Sequence, residues 1–284
     1  MRRLRRPDPG DAALAAWTAL VFVFLFAPIV TVVIYSFNHG ILGRQTSTLT
    51  GLTTRWYVEG WHNTIIRSDV ETSVRVAAAS ALLSLVIGTA AGWVLARHLR
   101  GYALATIEAL IYLVLIVPEI VLAVSLLLFF VKFHIGLGVW TLVVSHTPFS
   151  TAVVALIVRA RLLAIDRSTE HASVDLGASG WRTFWGIVVP QARPALIAGY
   201  ILAFTFSFDD LVTSFFLTTP TVTTLPVYLF SSVHSGVRVD AYAVASMMLA
   251  FTLTLLAAAG LITRWQSGRL GVRVAPEAAL GAAQ

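Results

Sequence analysis

Six stretches of the chain are strongly apolar and poor in charge: residues 13–37, 74–96, 104–131, 139–160, 193–217 and 241–263. Each has about the 20 residues that an α-helix needs to cross ~30 Å of hydrocarbon. The pattern predicts an all-α, polytopic membrane protein with six transmembrane helices set in lipid. It divides the chain into a cytoplasmic N-terminal segment (1–12), a transmembrane domain (13–266) and a disordered cytoplasmic tail (267–284) rich in Ala and Gly. The run from Ala12 to Asn38 has no charged residue and outlasts the 7–15 residues of a signal-peptide core, so it reads as a retained first helix. Gly88 and Gly92 in the second span have the GxxxG spacing that lets helix backbones approach closely.

Two connections are long. The first, 38–73, carries Trp56, Tyr57 and Trp61 and reads either as an interfacial loop or as a contact for another protein. The second, 161–192, is patterned. Asp166 is expected to cap a short helix with Glu170 in its first turn, and Gly177 to end it in the left-handed conformation. A second helix follows with Trp181, Phe184, Trp185 and Val188 at i, i+3, i+4 and i+7, and Pro190 is expected to break it before the fifth span. The aromatic stripe either packs on the chain's own bundle or docks on a cytoplasmic partner.

Composition agrees with the pattern. Hydrophobic residues make up 57% of the chain and charged residues 12%, about half the charge of a soluble domain, roughly 25%. A net charge of +6 would suit a nucleic-acid binder, but the basic residues follow topology instead. With the N-terminus inside, 14 arginines lie on cytoplasmic segments and six basic residues outside, which puts both termini in the cytoplasm. Trp17, Trp93, Trp140 and Trp265 fall near span ends, as an aromatic belt would. The absence of cysteine excludes disulfides, thiolate metal sites and cysteine nucleophiles.

Acidic residues inside the spans are the candidate chemistry. Asp209 and Asp210 lie in the fifth span and Glu119 follows Pro118 in the third, where the proline favours a kink. Each carboxylate near a helix centre costs ~2.5–3.5 kcal/mol on insertion scales, so they should face a bundle interior or an aqueous cavity. At 1.5 Å per residue Glu119 is about 28 Å beyond Arg100 and Asp210 about 26 Å beyond Arg193, so the acids can share a depth. On a continuous helix Thr205, Asp209 and Thr213 share one face, while Ser207, Asp210 and Ser214 share another. The three acids read either as a path for a cationic substrate or as structural groups bonded within the bundle. Glu108 is expected to snorkel or pair with an arginine, and His146 to pack. No catalytic or metal-ligating set is expected. Gly177-Ala178-Ser179-Gly180 matches the short G-x-S-G of intramembrane proteases, but it lies in an arginine-flanked loop without a histidine partner.

The stretch HASVDLGASGWRTFWGIVVP resembles the cytoplasmic EAA loop of permease subunits of ABC importers, with Asp175, Leu176, Gly177, Ile187 and Pro190 at matching positions. His171 stands where that family usually has Glu, and Ser173 where it often has Ala. PEIVLAVSLLLFF (118–130), SHTPF (145–149), SFDDLVTSFF (207–216) and TTLPVYLFSSV (223–233) extend the likeness. Together these resemble the spermidine/putrescine permeases of the PotC type over most of the chain. The resemblance implies a type I ABC importer permease fold in the cell (inner) membrane. It implies a loop, 161–192, that couples to a dimer of ATPase subunits through Asp175, Leu176, Gly177, Ala178 and Trp181. It also implies a second homologous permease, an extracytoplasmic substrate-binding protein, and polyamines or related small cations as substrate. The sequence independently lacks an ATPase site: a P-loop needs Gly-x-x-x-x-Gly-Lys-Ser/Thr, and the only lysine is Lys132 in FVKFH. ATP and Mg are therefore expected on the partner, with no cofactor on this chain. The alternative is a secondary transporter or channel for small cations, for which repeated halves would be the sign, and no internal repeat is evident.

Overall fold

The computed structural model describes residues 9–98, 100–234 and 238–269. The arginines at positions 2–6, Arg273, the side chain of Trp265 and the tail beyond 269 lie outside the described residues. The elements in order are α1 (Pro9–Tyr35), α2 (Arg55–His62), α3 (Thr64–Arg97), α4 (Gly101–Ile116), α5 (Glu119–Lys132), α6 (Val139–Leu163), α7 (Ser168–Asp175), α8 (Gly180–Thr183), a π turn (Phe184–Val188), α9 (Val189–Phe208), α10 (Val212–Leu217), α11 (Leu225–His234) and α12 (Val239–Arg269). Helix extends from the first span back to Pro9 and from the last span on to Arg269.

Among the described residues five helices are long and apolar enough to cross a membrane: Ala13–Tyr35, Thr64–Arg97, Val139–Leu163, Gly180–Phe208 and Val239–Ile262. α4 and α5 pass the same test together, bent by 97°, and make a sixth crossing when the pair is counted as one broken span. The single kinked helix expected over 104–131 is thus two helices. Val117 and Pro118 between them are extended, at ψ 128° and 131°, because a proline biases its predecessor away from the helical region and removes a donor.

The fifth span also departs from expectation. Pro190 does not break it: helix runs from Gly180 to Phe208, and the π turn immediately before Val189 absorbs the irregularity. The helix that was expected to end at 217 stops at Phe208, and α10 follows as a separate short helix.

The chain forms two compact units. One comprises residues 1–66 and 229–250. Here Asn38, fully buried, accepts the amide and hydroxyl of Thr50 (2.8 and 3.1 Å) and donates to Gln45 (2.6 Å). The Trp56 indole donates to the Asn38 carbonyl at 3.0 Å, and the hydroxyls of Tyr57 and Ser36 meet at 2.6 Å. Trp56 and Tyr57 are therefore tied into the unit, while Trp61 stays exposed. The other unit comprises residues 67–228 and 251–284 and is organised around α6. Val154, Val158 and Leu162 of α6 form its core with Ala81 and Ala96 of α3 and Ala192 and Ala203 of α9. The GxxxG spacing works as the sequence suggested: a Cβ on Gly88 would lie 2.8 Å from Val154, and one on Gly92 2.7 Å from the Ala155 carbonyl oxygen.

Candidate functional site

Both helix breaks carry the candidate acids. At the first, Glu119 opens α5, so its carboxylate sits in the first turn, where the helix dipole is positive. At the second, the last bond of α9 runs from the Asp209 amide to the Thr205 carbonyl (3.0 Å), after which the chain leaves the helix. Asp210 accepts the amide of Thr213 at 2.8 Å and so closes the start of α10. A short acidic side chain competes for backbone amides in this way, which is why two adjacent aspartates favour a break over a helix interior. α10 packs on α5, and Glu119 faces Asp210 and Thr213.

His146 of α6, expected to pack, is buried beside this cluster with both ring nitrogens in contact with serines. Its side chain is 1% exposed; Nδ1 lies 2.7 Å from Ser207 Oγ, and Nε2 lies 3.3 Å from Ser214 Oγ and 3.4 Å from Asp210 Oδ2. Ser80 of α3 donates to Ser207 at 2.9 Å. Ser207, Asp210 and Ser214 do share surroundings, as the helical spacing suggested, though across a break. The other expected face does not form: Thr213 serves Asp210, while both oxygens of Asp209 take the Thr252 hydroxyl of α12 (3.2 and 3.3 Å). Sequence reasoning missed Ser80, Thr252 and the role of His146. The polar run Ser145-His146-Thr147 was a signal; Thr252 had none.

Glu119 and Asp209 are exposed on this chain, whereas the Asp210 side chain is 9% exposed. Among the described residues no three His, Asp or Glu side chains converge as a metal site would require. Glu108 pairs with Arg159, as expected.

The loop residues form a second, separate feature. Asp166 takes the amide and hydroxyl of Ser168 (3.0 and 2.7 Å), which hold its carboxyl below the usual range, and α7 begins one residue later than a cap at Asp166 would place it. α7 ends with Asp175. Gly177 has φ +82°, its amide meeting the Val174 carbonyl at 2.8 Å and the Ala178 amide the Ser173 carbonyl at 3.0 Å. This is the paired bonding of a Schellman cap, for which glycine is suited. Ser179 then caps α8. The aromatic stripe divides: Val188 is buried and Phe184 stacks near Trp93 (4.6 Å), while Trp181 and Trp185 remain exposed, with Leu176 89% exposed beside them. Glu170, one position before the expected family glutamate, pairs with Arg97 of α3 at 2.6 Å.

Residues 88–271 match the family described as the binding-protein-dependent transport system inner membrane component. The chain is 39% identical over 237 residues to the putrescine transport system permease protein PotI of Escherichia coli K12, covering 81% of this chain and 83% of that one. It is 34% identical over 255 residues to the spermidine/putrescine permease PotC of the same organism, covering 90% and 95%. Among solved structures, a chain of a bacterial ABC transporter importing alginate superposes with a TM-score of 0.69 at 12% identity, covering 89% of this chain and 94% of that chain. A chain of the MetNI methionine ABC transporter gives 0.58 at 20% identity, covering 69% and 93%.

Proposed function

The chain belongs to the binding-protein-dependent transport inner membrane component family, and from that membership we propose that it is the permease subunit of an ATP-driven importer carrying putrescine, spermidine or related small cations into the cell. The observation that supports a cationic substrate is the meeting of two broken spans at three carboxylates. Facing hydrocarbon, Glu119, Asp209 and Asp210 would together cost roughly 7.5–10 kcal/mol. Glu119 and Asp209 are nonetheless exposed on this chain, so the face that bears them borders a water-filled passage or a second permease. The C-terminal ends of α4 and α9 at the breaks add partial negative charge. Ammonium groups step between these carboxylates rather than resting in a tight cage, since a site that held a polyamine strongly would release it slowly. Selection then falls mainly to the extracytoplasmic binding protein.

The energy comes from a dimer of partner ATPase subunits using ATP and Mg. They dock on the exposed Leu176, Trp181 and Trp185 beside the Gly177 turn, with Asp175 and Ala178 completing the surface, and their closure passes inward as rigid-body motion of packed helices. The arginine distribution supports a cytoplasmic position for this surface and both termini.

Uptake of labelled putrescine by the reconstituted complex, normalised to intact complex, tests the path. Asp209→Asn, Asp210→Asn and Glu119→Gln should each lower uptake while assembly and ATP hydrolysis persist. Unchanged normalised uptake in all three would falsify the charge path and leave the permease assignment standing. Loss of assembly before any loss of normalised uptake would mean that the acids are structural.

A further inference from the structure

We propose that α2 (Arg55–His62) is an interfacial helix seated in the lipid of the outer leaflet, with Trp61 and Val58 inserted at the boundary between headgroups and acyl chains. Lipid, rather than another protein, is then the partner of the exposed indole. The inference needs only that Val239–Ile262 crosses the membrane, whatever the substrate.

Depth carries it. Gly60 is the buried residue of α2, and a Cβ there would lie 3.2 Å from Val244 Cγ2 and 3.7 Å from Met247 Cε of α12, within the same compact unit. α2 therefore rests on α12 at the level of those two side chains. The span Val239–Ile262 has 24 residues, about 36 Å at 1.5 Å each, or roughly 6 Å more than ~30 Å of hydrocarbon. With that excess shared between the two ends, Val244 and Met247 lie about 4.5 and 9 Å inside it. Amphipathic helices at a membrane surface sit ~5–10 Å into the boundary. The faces of α2 divide to match. At about 100° per residue, Trp56, Gly60 and Tyr57 fall on one side, Trp61 and Val58 on the next, and His62, Arg55 and Glu59 on the third. The first side is held by protein: the Trp56 indole donates to the Asn38 carbonyl, and the Tyr57 hydroxyl meets that of Ser36. The second is apolar and open, with Trp61 65% and Val58 58% exposed. The third carries the Arg55–Glu59 ion pair, whose long side chains can keep their charges in water. A groove of about 680 Å³ at the start of α2 points the same way, being lined by Ile34, Phe37, Leu52, Thr53 and Thr54. Ile34 belongs to the span Ala13–Tyr35, whose apolar window buries no residue, so the groove continues a lipid-facing surface up to α2. A binding protein above the membrane would not reach an indole at this depth, whereas a ring with an apolar body and a polar N–H suits the boundary.

The chain has no cysteine, so a single one can be introduced without other changes. Val58→Cys, Trp61→Cys and Glu59→Cys are each spin-labelled in the complex with the ATPase and second permease and reconstituted in lipid. The signal of the complex carrying the unsubstituted chain, treated in the same way, is subtracted. Collisions with oxygen, which partitions into lipid, are then compared with collisions with a water-soluble nickel chelate. Oxygen should dominate at Val58→Cys and Trp61→Cys, at a depth of ~5–10 Å, and the nickel chelate at Glu59→Cys. Adding the extracytoplasmic binding protein should leave the two lipid-facing labels unchanged. Dominance of nickel at both Val58→Cys and Trp61→Cys would put that face in water. Exclusion of both reagents there would put it against the second permease, and loss of oxygen access on adding the binding protein would make that protein the occupant. Each of these overturns the proposal, as does dominance of oxygen at Glu59→Cys, which would sink the whole helix below the boundary.

Discussion

Arg97→Met should undock α7 from the end of α3. The guanidinium makes two bonds to Glu170 Oε1, at 3.0 and 2.6 Å, and the two side chains are 5% and 15% exposed. Removing one member of a pair this buried strands a charge and costs ~3–5 kcal/mol. Three ties remain around α7. Arg167 donates to the Ala96 carbonyl at 2.6 Å, the hydroxyls of Ser173 and Thr183 meet at 3.1 Å, and the Gln191 amide donates to the Thr169 hydroxyl at 3.2 Å. At ~0.5–1.5 kcal/mol for each neutral bond and ~1.5–3 for the charged one, these total about as much as the penalty. The undocked population should therefore rise by two to three powers of ten, at ~1.4 kcal/mol per decade. Hydrogen exchange reads it directly: α7 amides should exchange roughly 100- to 1,000-fold faster while α6 amides hold, and co-purification of the ATPase should fall. In Arg97→Met combined with Glu170→Met no charge is stranded, so most of the protection should return. Unchanged exchange in α7 of the single variant, or a double variant no better than the single, would refute the reasoning.

Three further outcomes follow from the same structure. A Cβ at Gly177 meets no atom within 4 Å, so the effect expected of Gly177→Val is backbone strain at φ +82°, at least ~1–2 kcal/mol for a β-branched residue; ATPase docking should weaken while membrane insertion is unaffected, and wild-type co-purification and hydrolysis would count against it. Gly92→Ala puts a carbon 2.7 Å from the Ala155 carbonyl oxygen and 3.0 Å from Val158 Cβ; overpacking of ~1–3 kcal/mol should lower the melting temperature of the purified protein, and an unmoved melt would show that α3 and α6 can separate freely. Cysteines placed at Ser47 and Ala172, both exposed, should react with an impermeant reagent from opposite sides of the membrane; reaction from the same side would contradict the orientation drawn from the arginines.

The spans were legible because a run of apolar residues long enough to cross a bilayer has few other uses. The close glycine pair and the Gly177 turn were legible because glycine is needed where a Cβ would collide or φ is positive. The interruptions were only half visible. Pro118 announced a disturbance, but a kink and a 97° turn leave the same mark in sequence, since what decides between them is where the freed backbone groups find partners. Pro190 misled in the opposite direction, because a π turn upstream let the helix continue. His146 was missed for a related reason. Even between Ser145 and Thr147, a histidine in a span reads as a packed one until Ser207 and Asp210, more than 60 positions away, are known to face it.

The two breaks also bear on where the passage runs, apart from any carboxylate. A helix end leaves backbone N–H and C=O groups without helical partners, and within hydrocarbon each unsatisfied group costs several kcal/mol. Non-helical backbone at membrane depth therefore persists only against protein or water. Some of these needs are met within the chain: Asp210 takes the Thr213 amide, and the Pro118 carbonyl takes the Val121 and Leu122 amides at 2.9 and 3.3 Å. These partners serve the starting ends of α10 and α5, whose amides point at the breaks. The last carbonyls of α4 and α9 lie on the other side of each break and have the same need. A cation or water in a passage beside the breaks can serve such carbonyls, and the carboxylates add to that attraction. The acids therefore strengthen a preference that the broken backbone already has, and this is why single neutralising substitutions are expected to slow transport rather than abolish it.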